Sequence, residues 1–223
     1  MTWIFHHHPL SSYCMKALIA LYETATPFTP RLVNLGDPAE RAALLALWPI
    51  GKFPVLQDPD ADVVIPESTT IIEHLAHQTP GSPLVPADAE RAREVRLRDR
   101  FFDQYVHNPM QKITGDLMRP DGKHDPFGVE QARAQIEVAY QMLEGQIGRA
   151  ETCVRGPWAV GETFTLADCA AAPALFYASH YVPLERFPRT RAYLQRLRAR
   201  PSFARVLDEA RPYFAMFPGG KLE

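Results

Sequence analysis

Over the first 78 residues the apolar positions switch repeatedly between strand-like and helical spacing, whereas beyond residue 88 they keep helical spacing alone. The aromatic and β-branched run Trp3-Ile4-Phe5 predicts a first strand over residues 2–8. Ala17, Leu18, Leu21 and Tyr22 then recur at helical intervals between Ser12 and Thr24. Pro27 and Pro30 exclude a helix, and Arg31-Leu32-Val33-Asn34-Leu35 reads as an outer strand. Asp37-Pro38 supplies an N-cap followed by proline at the first helical position, opening a helix through Leu47 that Pro49-Ile50-Gly51 ends. Residues 52–57 form a strand entered through Pro54, and Val63-Val64-Ile65 forms the next after the turn Asp58-Pro59-Asp60. That turn is too short for a crossover, so the two strands must be antiparallel neighbours. Pro66-Glu67-Ser68-Thr69-Thr70 opens a helix to His77, which completes a β-α-β-α-β-β-α order over residues 1–78.

Three prolines and a glycine fall within Thr79–Pro86, so residues 79–87 read as a linker. Residues 88–223 then carry no strand pattern and form an all-α domain. Its helices are expected over 88–118, with a kink at Asn108-Pro109, and over 129–149, 166–180, 188–199 and 202–215, with a loop at 120–128. Thr165-Leu166-Ala167-Asp168 is a capping box that starts a buried helix, a structural role.

Composition narrows the class. In 223 residues, 24 basic side chains face 26 acidic ones for a net charge of −2, so no basic block invites a nucleic acid or a membrane surface. No apolar run reaches the length of a membrane span. Three widely spaced cysteines (Cys14, Cys153, Cys169) and the absence of a secretory leader fit a reducing, cytoplasmic setting. His6-His7-His8 on a strand point to alternating faces and cannot converge on one ion, so no metal site is expected.

The chemistry concentrates in Ser11-Ser12-Tyr13-Cys14, placed between the first strand and the first helix. Unpaired N–H groups gather there, which suits an anion such as a thiolate. The same geometry also suits a plain helix cap by Ser11 or Ser12. A second local signal is Phe53-Pro54: with a cis bond, the residue after it can offer its main chain to an extended peptide.

Four motifs together resemble the cytosolic glutathione transferase family, of the serine type, over nearly the whole chain. They are Ser11-Ser12-Tyr13-Cys14, Gly51-Lys52-Phe53-Pro54-Val55-Leu56, Pro66-Glu67-Ser68 and Gly161–Asp168, in order and at matching spacings. The resemblance implies a thioredoxin-like N-terminal domain followed by the all-α domain. It also implies glutathione as co-substrate and a homodimer. Ser11 matches the hydroxyl that holds the glutathione sulfur as thiolate, with Ser12 its neighbour and competitor. Glu67 and Ser68 match the pair that holds the γ-glutamyl end, Val55 beside Pro54 and Phe53 pairs with the cysteinyl unit, and Lys52 meets the glycyl carboxylate. A hydrophobic electrophile is expected between the domains near Leu10, Tyr13, Tyr105, Met110 and Tyr177. His107 is expected at the surface or in a cap, and Cys14 as an inert, partly buried thiol. The resemblance also extends to the maleylacetoacetate isomerase branch, where a Ser-Ser-Cys run is usual and Tyr13 stands here instead. Besides a transferase, a glutathione-dependent isomerase remains open, as does a non-catalytic interaction or ligand-carrier module on the same fold.

Overall fold

The computed structural model describes residues 3–146 and 156–222. Four strands make one mixed sheet in the order β2-β1-β3-β4: β1 (Trp3–His7), β2 (Phe28–Leu32), β3 (Val55–Asp58) and β4 (Val63–Pro66). β2 runs parallel to β1, while β1–β3 and β3–β4 are antiparallel, as the short Asp58–Asp60 turn requires. Phe5 lies at the centre, wholly buried, between Pro30 on one side and Leu56 on the other. Helices α1 (Ser12–Glu23), α2 (Pro38–Leu47) and α3 (Ser68–Gln78) alternate with the strands. Asp37 caps α2 through bonds from the Ala39 and Glu40 N–H groups, with Pro38 in the first turn.

β2 lies three residues earlier than its sequence pattern predicts. It is an edge strand, so the N–H that Pro30 lacks removes no bond from the sheet interior. Phe28 instead starts the strand, its ring packed edge-on against Phe5 at 5.8 Å.

The second half is built of helices, with one isolated bridge, Trp158–Gly161, among the described residues: α4 (Ala89–Phe101), α5 (Asn108–Leu117), α6 (Pro126–Gln146), α7 (Leu166–Tyr181), α8 (Pro188–Ala199) and α9 (Pro201–Ala210). α6 opens at Pro126, inside the stretch read as a loop. The end of that expected helix, residues 147–149, and Cys153 fall outside the described residues. Between α4 and α5 the chain makes a π-helical segment, Phe102–His107, where the sequence suggests a proline kink. α7 runs through the middle of the core and packs on α1; five of its residues between Ala167 and Ala174 are alanine, which lets neighbouring helices approach closely. Its Asp168 is fully buried and accepts from the Thr165 N–H (2.9 Å) and hydroxyl (3.1 Å), the Ala159 N–H (2.8 Å) and the Tyr193 hydroxyl (2.6 Å). Burial pushes its carboxyl up to about 6 against these four bonds, and the residue is a structural hub.

The two halves are fastened by Arg200. Its guanidinium grips Glu23 of α1 at 2.8 and 2.6 Å, Ser202 donates to the same carboxylate at 2.5 Å, and the cation lies 4.5 Å from the Phe164 ring centroid. Arg200→Ala is expected to cost about 2 kcal/mol, since a bidentate ion pair and a cation–π contact go together. Burial opposes charge on Glu23, but the bonds from Arg200 and Ser202 outweigh it and hold its carboxyl below the ordinary 4.5. A depressed folded value means that this stabilisation is complete above the unfolded value and fades as pH falls through the folded one. Denaturation followed from pH 7 to pH 3 should therefore show the gap between wild type and variant closing on the acid side.

Candidate active site

A cavity of about 360 Å³ is walled by Tyr13 from α1, Lys52, Phe53 and Pro54 from the loop before β3, Glu67 to Thr70 at the start of α3, Arg100 from α4, and Asp103 and Gln104 from the π-helical segment. Each wall follows from local chemistry. β1 ends at His7, and the Ser11 N–H bonds back to the His8 carbonyl at 2.9 Å, turning the chain into α1. Ser11 Oγ then accepts from the Cys14 N–H at 3.3 Å, so Ser11 is the helix cap. Its hydroxyl proton is not consumed by that bond, since the oxygen acts there as acceptor. Ser12 is 2% exposed and accepts from the Gln111 side chain at 3.2 Å. Neither serine is among the cavity walls; both lie at the helix start beside Tyr13. Cys14 is wholly buried, and burial pushes its thiol up to about 12.

Gly51, at φ +68°, leads into the Phe53-Pro54 bond, which is cis. Val55 does not face the cavity. It sits inside the sheet, in register with His6 on one side and Pro66 on the other, with its side chain in a small core of Val33 and Leu44. Phe53 and Pro54 are the wall residues, and among the described residues no hydrogen bond engages the main chain of Phe53. The main chain open to an extended peptide is thus that of Phe53, before the proline and not after it.

Glu67 has φ +70° and ψ 126°, a conformation that costs a non-glycine residue about 1–3 kcal/mol. Its side chain makes no cap bond to α3, so the exposed carboxylate stands over the cavity beside Ser68 and the N-terminus of the helix. Lys52 is exposed on the opposite loop.

Beneath these walls lies a charge network that the sequence reading missed. Lys16 is wholly buried; its ammonium touches Asp99 at 2.6 Å, Asp103 at 2.8 Å and the Thr69 hydroxyl at 2.9 Å. Arg100, half exposed in the cavity wall, bonds to the same three groups at 2.6, 2.9 and 2.6 Å. The Thr69 hydroxyl accepts from both cations and donates to Asp99 at 3.0 Å. Two cations and two anions therefore balance under the start of α3. Burial opposes charge on Asp103, but His107 and Lys16 outweigh it and hold its carboxyl below the usual range. The available signal was a lysine inside the otherwise apolar stretch Cys14–Leu21, all eight residues of which are buried.

His107 is fully buried, contrary to the surface or capping position expected. Its ring stacks on Tyr13 at 4.1 Å, and burial keeps its pKa below the ordinary value. Of the expected electrophile contacts, Tyr13 alone lines the cavity. Met110 is 2% exposed within the core, and Tyr105 is 61% exposed against Phe101. Both follow or lie within the π turn, which holds more residues per turn than an α-helix and so changes the face that each position after Phe102 presents. Leu10 is half-buried, and its carbonyl accepts from the buried Tyr177 hydroxyl at 2.9 Å, so that pair ties α7 to the turn. Among the described residues no group of His, Cys, Asp and Glu is placed to hold a metal, and no helix is long and apolar enough to cross a membrane.

A thioredoxin-like sheet joined to a helical domain, with a serine-capped α1 and a glutamate-serine pair facing a cis-proline loop, defines a class of protein. Two family models match it: residues 5–83 fit the glutathione S-transferase N-terminal domain and residues 126–196 the C-terminal domain, together about two thirds of the chain. The chain belongs to the glutathione S-transferase family. It is 29% identical to FtsZ-localized protein A of Caulobacter vibrioides, over 94% of this chain and 92% of that one. It is 27% identical to maleylacetoacetate isomerase of Pseudomonas aeruginosa, over 93% and 95%. Among solved structures, a glutathione S-transferase of Methylobacterium radiotolerans in complex with glutathione sulfonate superimposes with a TM-score of 0.78 at 27% identity, covering 92% and 94%.

Proposed function

We propose that this chain binds reduced glutathione in the cavity between α1, α3 and the cis-proline loop and directs its thiolate at an electrophilic carbon. Glu67 carries the reading. A carboxylate held at φ +70° beside Ser68 and a helix N-terminus suits the ammonium and carboxylate of a γ-glutamyl group. The main chain of Phe53 pairs with the cysteinyl unit, Lys52 meets the glycyl carboxylate, and Ser11 donates its proton to the sulfur. That donation favours thiolate over thiol near neutral pH, and the thiolate is the nucleophile.

Glu67→Gly tests this by separating strain from binding. Glycine adopts the positive φ without penalty, so the variant should unfold about 1 kcal/mol later than wild type. The same change removes a charge-assisted bond worth about 1.5–3 kcal/mol, so glutathione affinity by calorimetric titration should fall about 10- to 100-fold. A stabilised variant with unchanged affinity excludes Glu67 from the site. Similarity to FtsZ-localized protein A favours a second reading, an interaction module without turnover. No binding to wild type at millimolar glutathione selects that reading.

A further inference from the structure

We propose that this chain carries a second small-molecule site, at the β2 edge of the sheet, and that its ligand is an uncharged aromatic compound bearing a hydroxyl group. A cavity of about 470 Å³ opens there between the end of β1, the start of β2, the last turns of α1, and α9. That is the size of an ordinary ligand pocket, and none of its described wall residues belongs to the glutathione cavity. Leu21, wholly buried, and the rings of Tyr22 and Phe28 supply apolar walls; the two ring centroids stand 5.9 Å apart with their planes at 43°. The polar walls include Arg205 and Glu209 of α9 and His7 of β1. Glu209 accepts from the Tyr22 hydroxyl at 2.6 Å and from Arg205 Nε at 2.9 Å, and the guanidinium lies 4.0 Å from the Tyr22 ring centroid. Cation and anion therefore answer each other.

His7 has no such answer. It is 9% exposed and stacked on Phe5 at 5.1 Å, and its Nδ1 is enclosed with no hydrogen-bond partner among the described residues. Burial lowers its pKa to about 4, although the nearby charge of Glu209 works to raise it, so the ring is neutral near neutral pH. A neutral imidazole carries one N–H. An enclosed N–H without an acceptor is rarer in proteins than an enclosed lone pair, so the proton belongs on Nε2. Nε2 is neither enclosed nor bonded among the described residues, and the ring lines the cavity, so this donor is left to whatever fills it. The polar end of the cavity thus offers one neutral N–H and one carboxylate. A carboxylate ligand would meet Glu209 and an ammonium ligand would meet Arg205, and either brings a charge with no counterpart left for it. A hydroxyl serves both groups with one oxygen. It accepts from His7 Nε2 and donates to Glu209, whose oxygens each keep a lone pair beyond the bonds from Tyr22 and Arg205. The aromatic body behind it lies against Leu21, Tyr22 and Phe28, where ring contacts add to the area buried.

Calorimetric titration with naphthol, with S-hexylglutathione present at saturation, reads this site alone, because the blocking ligand fills the glutathione cavity and the space beyond its sulfur. Wild type should bind naphthol at a single site. Methoxynaphthalene, which accepts but cannot donate, and naphthoate, which is ionised, should each bind at least about 10-fold more weakly. His7→Phe keeps a ring on Phe5 and loses the donor, and should weaken naphthol about 10-fold. Glu209→Gln, at a position 43% exposed, loses the charged acceptor and should weaken it by a similar factor, about 10-fold. Glutathione affinity of the Glu209 variant should stay within about twofold of wild type, since the two cavities are separate. Should His7→Phe fail to fold, Glu209→Gln and the methoxy compound decide. Naphthol binding that disappears when S-hexylglutathione is added belongs to the glutathione cleft and overturns the proposal. So does equal binding of the hydroxy, methoxy and carboxylate compounds, equal binding by wild type and both variants, or no binding by wild type up to the solubility of naphthol. A wild type that takes up no S-hexylglutathione overturns the glutathione reading instead, and naphthol titration of wild type and variants then tests this site by itself.

Discussion

Lys16→Met is expected to destabilise the protein by about 3–5 kcal/mol, the range seen when one partner of a buried ion pair is removed. The methionine fills similar space, so the loss is electrostatic and not a cavity. Asp99 and Asp103 are 1% and 7% exposed and would share the single charge of Arg100, which itself is half exposed. Against a typical stability of about 5–15 kcal/mol, this is a large fraction. Denaturant unfolding is the measurement, with Lys16→Met/Asp99→Asn/Asp103→Asn as its control. Neutralising the two carboxylates removes the uncompensated charges, so the triple variant should recover much of the loss. If it unfolds no later than Lys16→Met, the network is held by packing and not by charge. The same variant should weaken glutathione binding, because the Thr69 hydroxyl that Lys16 holds immediately follows Ser68 at the start of α3.

That network also marks the limit of what the sequence displays. Asp37-Pro38 and Thr165–Asp168 are legible because a cap is local: the side chain bonds to backbone two or three residues away. The antiparallel pairing of β3 and β4 follows from a turn too short for anything else. Lys16, Thr69, Asp99, Arg100 and Asp103 come from α1, α3, α4 and the π-helical segment, up to 87 residues apart, and only tertiary packing brings their charges together. The π turn is hidden for a different reason: nothing in Phe102–His107 announces a turn wider than that of an α-helix. β2 starts at Phe28, three residues before its predicted run, and Pro30, which excludes a helix, is an ordinary member of this edge strand. Glu67 and Ser68 are legible as a motif and line the cavity, yet the positive φ that makes Glu67 informative has no sequence signature outside glycine and asparagine.

Ser11→Ala is expected to lower turnover with any electrophile about 10²- to 10³-fold, as does loss of one donor to a developing or stabilised anion elsewhere. Two effects are superposed in that variant. Ser11 caps α1 through the Cys14 N–H, and losing a serine cap costs about 1 kcal/mol of stability whatever the chemistry. Ser11→Gly separates them, because glycine is tolerated at the cap at a cost of only a few tenths of a kcal/mol while still lacking the hydroxyl. Both variants should therefore be equally inactive but unequally stable. The direct readout is the ultraviolet absorbance of the thiolate in the complex with glutathione, titrated against pH. In wild type the thiolate should persist to lower pH than free glutathione allows, and in either Ser11 variant that advantage should vanish. Ser12→Ala is the internal comparison. Its hydroxyl is 2% exposed and its oxygen accepts from Gln111, so removal should loosen the contact between α1 and α5 and leave the thiolate titration in place. The opposite pattern, a Ser12→Ala protein without thiolate beside a Ser11→Ala protein with it, moves the donor by one residue and makes Ser11 a cap alone.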